Sequence, residues 1–125
     1  MVSVGSTRSF YLFLIVSLAC IFPSQSFSQG NAAAGRALFA EELKGNCAAC
    51  HKTPTDTSRI GASNIGPPLE GIRLKYTLPA DRVQLRDSIR DQSIRNPTTI
   101  MPPYGKHRIL TESEINDIVA YLETL

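Results

Sequence analysis

Two cysteines and a histidine stand together in the first half of the chain, in the order Cys47, Ala48, Ala49, Cys50 and His51. Thiols three positions apart, followed at once by an imidazole, have the spacing of a covalent haem c attachment site. Each thiol can form a thioether with a haem vinyl group, and the imidazole can bind the iron as its proximal ligand. The motif therefore predicts one covalently bound haem c held by Cys47, Cys50 and His51.

The same two thiols fit two other kinds of site. A Cys-x-x-Cys pair can be a redox dithiol on a thioredoxin-like βαβ scaffold, but no run of Val and Ile before Cys47 predicts a buried parallel strand. A structural zinc site needs two more ligands, and outside the motif the sequence has one other histidine, His107, and one other cysteine, Cys20. Haem attachment is thus the leading interpretation, with the dithiol and the metal site as alternatives.

Length and charge narrow the class of protein further. The chain has 125 residues, which allows one domain. Lys and Arg number 13 against 11 for Asp and Glu, a formal net charge of +2. This near-neutral balance gives no electrostatic case for binding nucleic acid.

The first 28 residues have the pattern of an export signal. Arg8 supplies positive charge, residues 10–22 are apolar, and Ser26 and Ser28 stand at the two positions that a signal peptidase reads. We therefore expect a signal peptide over residues 1–28, cleaved after Ser28, and a periplasmic mature domain over residues 29–125.

Two alternatives exist for this leader. It could be retained as a membrane anchor, but its apolar run is shorter than the ~20 residues that a spanning helix needs. Cys20 follows Ser17, Leu18 and Ala19 and could be lipidated, although Ser17 is polar where an aliphatic residue would be expected.

Helical periodicity is visible in three segments, and no segment alternates as a strand does. The first is a helix from Ala32 to near Gly45, capped by Asn31, and the second covers residues 81–94. The third begins at a capping box formed by Thr111 and Glu114. Their apolar positions are Ala34, Leu38, Phe39 and Leu43; Val83, Leu85, Ile89 and Ile94; and Ile115, Ile118, Val119 and Leu122. The expected fold class is all-α, with about three to five short helices and long loops around the haem.

A second axial ligand is predicted from the loop at residues 99–105. Met101 is the one methionine left after signal removal, and it is followed by Pro102 and Pro103. Its thioether could complete His/Met coordination with His51, which favours ferrous iron. The alternatives are that Met101 fills a core gap, or that His107 is the ligand.

A Gly-Pro stretch over residues 64–69 lies between the two predicted ligands. Gly66 allows close backbone approach and Pro67 fixes φ, so we expect this stretch to run flat against the haem edge and to offer a carbonyl to the His51 ring N–H. An ordinary surface turn is the alternative.

Taken in chain order, these segments resemble the class I cytochrome c fold. In that family the first and last helices cross closely, which implies that Gly35 lies near Tyr121. The stretch from Met101 to Thr111, together with residues 64–69 and 95–97, is similar to the SoxX family, the small monohaem subunits of the SoxAX cytochromes of bacterial sulfur oxidation.

The SoxX resemblance implies a periplasmic heterodimer with a SoxA-type cytochrome subunit. Such a complex is an L-cysteine S-thiosulfotransferase, which joins thiosulfate oxidatively to a cysteine of a SoxYZ-type carrier protein. This chain would accept the electrons and pass them to a downstream electron acceptor. The sulfur chemistry is expected on the partner, because Cys47 and Cys50 are both committed to haem. A freestanding carrier cytochrome is the alternative, and a haem sensor is disfavoured because His/Met coordination leaves no open iron position.

A basic stripe is the remaining feature of the sequence. Arg82, Arg86 and Arg90 recur every four residues, with Asp87 and Asp91 nearby. We interpret the stripe as a solvated helix face rather than a docking surface.

Overall fold

The computed structural model describes residues 29–55 and 65–125; the predicted signal peptide over 1–28, with Cys20, lies outside these ranges, as does Asn64. Neither described range contains a strand, so the all-α prediction is confirmed. None of the helices found there is long and apolar enough to cross a membrane. The helices are α1 (Ala32–Ala40), α2 (Ile72–Lys75), α3 (Pro79–Asp91) and α4 (Glu112–Leu122), with 3-10 turns at Cys47–Ala49 and Gln92–Ile94.

Helix α1 begins where predicted and ends earlier. The Asn31 carboxamide oxygen accepts from the N–H groups of Ala33 and Ala34 at 2.9 and 3.1 Å, which caps the first turn. At Glu41 the backbone becomes extended, and its carbonyl accepts from later N–H groups of a tight turn. The prediction that the helix reaches Gly45 is therefore wrong, and Leu43 is 92% exposed rather than part of an apolar stripe.

Helix α4 follows its sequence pattern closely. Glu114 N–H donates to Thr111 Oγ1 at 3.2 Å, and Thr111 N–H donates to Glu114 Oε2 at 2.8 Å, so the predicted capping box is present. The four apolar positions of its predicted stripe are all buried, namely Ile115, Ile118, Val119 and Leu122. This helix supplies the most deeply buried part of the core.

Helices α1 and α4 cross with their backbones in close approach. A Cβ at Gly35 would overlap the carbonyl of Asp117, and the Asp117 carboxylate accepts from Asn31 N–H at 2.7 Å. One turn further along α4, the ring of Tyr121 packs edge-on against Phe39, with centroids 5.5 Å apart. The expected crossing of the first and last helices is confirmed, with Gly35 opposite Asp117 and Tyr121 one turn beyond.

Helix α3 begins two residues before its predicted range of 81–94 and ends three residues before the end of that range, where the 3-10 turn Gln92–Ile94 follows. Pro79 occupies its first turn, and the Asp81 carboxylate accepts from Leu78 N–H at 3.0 Å, which caps the helix earlier than expected. Leu85 and Ile89 are buried as predicted, whereas the other two positions of the irregular stripe, Val83 and Ile94, are exposed.

The basic stripe of α3 faces α4 and is not simply solvated. Arg86 and Arg90 both form ion pairs with Glu112, and Arg82 Nε lies 3.3 Å from a carboxylate oxygen of Glu123. The stripe is therefore partly solvated, as interpreted, but it also ties α3 to α4, which its spacing alone did not indicate. The acidic partners of these arginines, Glu112 and Glu123, lie far away in the sequence.

Candidate functional site

The attachment motif is wound into a single short turn. Asn46 has left-handed backbone angles (φ 43, ψ 35) and leads into the 3-10 turn Cys47–Ala49. The Cys47 carbonyl then accepts from the N–H groups of Cys50 and His51 at 3.1 and 2.9 Å. The turn therefore places Cys47, Cys50 and His51 within one small hydrogen-bonded loop.

The environment of Cys47 disfavours the redox-dithiol alternative. Burial raises the pKa of the Cys47 thiol to about 11, so an unreacted Cys47 would be a neutral thiol at physiological pH. Redox dithiols depend on the opposite shift, a depressed thiol pKa that supplies thiolate. Among residues 29–55 and 65–125 there is also no cluster of His, Cys, Asp and Glu that could hold a metal ion, which leaves the zinc alternative without a ligand set in those ranges.

The imidazole of His51 has a defined orientation. Its Nδ1 lies 2.8 Å from the carbonyl oxygen of Pro67. Because a carbonyl can only accept, Nδ1 must carry the proton, and the lone pair of Nε2 is left free for a metal. The carbonyl expected from the Gly-Pro stretch is therefore present, and Pro67 supplies it.

The Gly-Pro stretch runs beside the motif. Gly66 N–H donates to the Cys50 carbonyl at 3.0 Å, and Leu69 N–H donates to the Lys52 carbonyl at 2.8 Å. A Cβ at Gly66 would lie only 2.5 Å from Cε1 of His51. Its described residues thus run against the imidazole, and a side chain at position 66 would require the His51 ring to move. The approach of this stretch to the haem edge stays a prediction.

The loop after α3 contains both candidates for the second axial ligand, Met101 and His107, and their surroundings differ. Met101 is partly buried and packs against the hydrophobic core, and its N–H donates to Thr99 Oγ1 at 3.1 Å. His107 is exposed, in a turn where its N–H donates to the Pro103 carbonyl at 3.0 Å. Met101 is the better placed of the two, and its coordination of iron remains a prediction.

Tyr104 is a buried residue of this loop that the sequence analysis missed. Its side chain is in the core, and its carbonyl accepts from Ile109 and Leu110 N–H at 2.9 and 3.1 Å. Desolvation by burial raises the pKa of its hydroxyl to about 12. The one available signal was an aromatic residue between Pro103 and Gly105, which is too local a pattern to reveal burial.

These residues suit a covalently held haem. Cys47 and Cys50 provide two thiols for thioethers, and His51 provides a ring nitrogen free to bind iron. Ile65 and Ile100, which are 55% and 76% exposed, directly flank Gly66 and Met101 in the sequence. The donor set is therefore accompanied by apolar side chains of the kind that a porphyrin packs against.

Comparison with known proteins agrees with this chemistry. The family model described as "Cytochrome c" matches residues 32–125. The chain belongs to the cytochrome c family. As a member, it carries covalently bound haem c and works in haem-based electron transfer, and its helices agree with the class I cytochrome c fold.

A curated relative extends the comparison. A protein of Aquifex aeolicus (strain VF5), described as an uncharacterized lipoprotein, is 40% identical to this cytochrome over 79 residues. The match covers 63% of this chain and 36% of the relative. The cytochrome thus corresponds to about a third of that longer protein.

The attachment motif and the Gly-Pro stretch have separate tasks in this cytochrome. When bound, haem c supplies a one-electron couple at its iron. Cys47 and Cys50 would hold the group in place through thioethers, while the Pro67 carbonyl fixes the His51 ring and would make it a stronger donor through the Nδ1 hydrogen bond. Gly66 allows that hydrogen bond by leaving room for the ring.

Proposed function

We propose that this cytochrome is the electron-accepting subunit of a SoxAX-type complex in the periplasm, with His51 and Met101 as axial iron ligands. In this role it pairs with a SoxA-type cytochrome subunit. It takes up electrons released when thiosulfate is joined to a cysteine of a SoxYZ-type carrier, and it passes them to a downstream acceptor. It would thus be the electron-accepting subunit of an L-cysteine S-thiosulfotransferase.

The observation that carries this proposal is the loop from Met101 to Thr111. The residues that resemble SoxX form one hydrogen-bonded unit: His107 N–H donates to the Pro103 carbonyl, and the Tyr104 carbonyl accepts from two later N–H groups. Thr111 then caps α4. The resemblance therefore falls on residues that set the conformation of the Met101 loop, and it extends well beyond the attachment motif that most c-type cytochromes share.

The thiols support the assignment of the sulfur chemistry to a partner. Cys47 is buried and Cys50 partly buried, and both are used by the haem. Cys20 is removed with the predicted signal peptide, or is itself modified if it is lipidated. No thiol of the mature chain is then left to bond sulfane sulfur, so the bond-forming step needs a cysteine from another subunit.

The test is thiosulfate-dependent reduction of the haem. The exported protein is mixed with a SoxA-type subunit and a SoxYZ-type carrier, and haem reduction is followed by absorbance after thiosulfate is added. Reduction that requires both partners and stops when the carrier cysteine is alkylated would support the proposal. Equal reduction with and without the SoxA-type subunit would contradict it.

A freestanding carrier is the second candidate, and the relative from Aquifex aeolicus suggests a form of it that is attached to a membrane. That relative is described as a lipoprotein, and lipidation at Cys20 would hold this cytochrome at a membrane surface. Mass spectrometry of the exported protein distinguishes the two ways in which the leader could be processed. A chain beginning at Gln29 supports cleavage after Ser28, whereas a chain beginning at an acylated Cys20 supports the membrane-bound carrier.

A further inference from the structure

The loop that carries Met101 is tied by its backbone to the end of α3. The carbonyl oxygen of Arg90, in the last turn of that helix, accepts from the N–H groups of Gly105 and Lys106, both at 3.2 Å. Carbonyls in the last turn of a helix lack an intrahelical donor. The two loop N–H groups therefore satisfy the Arg90 carbonyl, which would otherwise need a water donor. The same hydrogen bonds hold the loop backbone against the end of α3.

A side-chain contact reinforces this tie. Lys106 Nζ lies 3.0 Å from Oδ2 of Asp91; the Asp91 side chain is 7% exposed and that of Lys106 is 59% exposed. The other carboxylate oxygen, Oδ1, accepts from the N–H of Ser93 at 3.1 Å and from its hydroxyl. Hydrogen bonds from Ser93 and then Lys106 hold the pKa of Asp91 below its ordinary value. Asp91 is thus an ionised carboxylate that joins the turn after α3 to the Met101 loop.

Met101 lies between this tie and a second one. On its N-terminal side, Thr99 N–H donates to the Asn96 carbonyl at 3.0 Å, and Thr99 Oγ1 accepts from Met101 N–H at 3.1 Å. On its C-terminal side, Pro102 and Pro103 have φ fixed by their rings. Few backbone torsions remain free between Met101 and Lys106, so a constraint at Lys106 is passed on to Met101.

We propose that Asp91 is a positioning residue which, through Lys106, holds the Met101 loop so that the Met101 sulfur stays on the haem iron. The inference rests on the proposed His51/Met101 ligation. Asp91 does not itself touch the iron. Its effect is to disfavour opening of the loop, and opening is the motion by which the sulfur would leave.

The test compares loss of the iron–sulfur bond with loss of the fold in the full-length haem-loaded protein. The absorption band of methionine-bound ferric haem reports the bond, and far-ultraviolet circular dichroism reports the helices, both during denaturant titration. For Lys106→Gln we expect the band to disappear before the helices unfold, with the equilibrium constant for loop opening raised about threefold. For Asp91→Asn we expect a larger effect, because that substitution also weakens the contacts to Ser93.

Arg82→Gln is the matched control. It also removes one cation that pairs with a carboxylate, that of Glu123, but this pair joins α3 to α4 and does not involve the loop. We expect it to leave the interval between the two transitions unchanged.

Two outcomes would overturn the inference in distinguishable ways. Equal changes in Lys106→Gln and Arg82→Gln would show that Asp91 does not position the loop, and the His/Met ligation would stand. Absence of the methionine band from the unsubstituted protein would instead remove the ligation and the positioning role together. If Asp91→Asn does not accumulate, Lys106→Gln alone decides, because Lys106 is exposed and outside the core.

Discussion

The Nδ1–H of His51 donates to the carbonyl oxygen of Pro67, 16 positions later in the chain, at 2.8 Å. This hydrogen bond fixes the tautomer and ring orientation of the proximal ligand and makes the other nitrogen more basic. A more basic ligand stabilises ferric iron relative to ferrous iron, so this contact lowers the reduction potential. Gly66 is what allows it.

Gly66→Ala is therefore expected to raise the reduction potential. The added Cβ would lie 2.5 Å from the His51 ring, and the ring must move away from the Pro67 carbonyl, which weakens the hydrogen bond. A spectroelectrochemical redox titration measures the change. Gly71→Ala is the control, since a Cβ there meets nothing within 4 Å; an equal rise in both variants would contradict the explanation.

Met101→Leu is expected to abolish the methionine–iron absorption band and to lower the reduction potential, because thioether ligation favours ferrous iron. His107→Ala should change neither property, since His107 is exposed. Absorption spectra of the oxidised variants check both statements. If His107→Ala removed the second axial ligand and Met101→Leu did not, His107 would be the ligand in place of Met101.

Gly35→Ala is expected to destabilise the whole fold. A Cβ at Gly35 would overlap the backbone of Asp117, and the two helices would have to separate along their length. We expect the free energy of unfolding to fall by about 3 kcal/mol, as measured by denaturant titration. Gly71→Ala, where the left-handed backbone (φ 70) is the one source of strain, should cost about 1–2 kcal/mol; a larger loss there than at Gly35 would contradict the crossing as the cause.

The ion pair between Lys44 and Glu114 predicts a dependence of stability on pH. Hydrogen bonds from Lys44 and then from Thr111 hold the pKa of Glu114 below its ordinary value of 4.5. The stabilisation is therefore fully present above about pH 4.5 and is lost as the pH falls through the lower pKa of the folded state.

Glu114→Gln should accordingly lower stability at neutral pH and flatten the pH dependence in the acid range. Both partners are partly exposed, at 43% and 21%, so the pair itself is expected to contribute about 0.5 kcal/mol. Denaturant titrations at several pH values provide the measurement, and Lys44→Gln completes a double-mutant cycle. A pH profile unchanged by Glu114→Gln would assign the acid dependence to other carboxylates.

Local patterns in the sequence were sufficient to predict α4 and the cap of α1. The Thr111–Glu114 box and the Asn31 cap both join groups no more than three positions apart. The His51 contact with the Gly-Pro stretch was also predictable, since a ligating imidazole needs an acceptor for its second nitrogen. The caps depend on groups a few positions apart, and the His51 contact depends on the known chemistry of a ligating imidazole.

Features that depend on distant partners were not predictable in this way. The spacing of Arg82, Arg86 and Arg90 could not reveal Glu112 and Glu123 on another helix. The early end of α1 likewise depends on a turn that returns the chain toward a buried Cys47. For the arginines the deciding contacts come from another helix, and for α1 they come from the turn over residues 41–46.

The crossing of α1 and α4 also sets an order of events for the newly made chain. Asn31 and Asp117 are 86 positions apart, so α1 lacks its main packing partner, α4, until almost the entire chain has been synthesised. The attachment motif lies between these two helices and is available much earlier. We therefore expect haem to be joined to an open chain, and the meeting of the two helices to close the domain around a cofactor that is already in place.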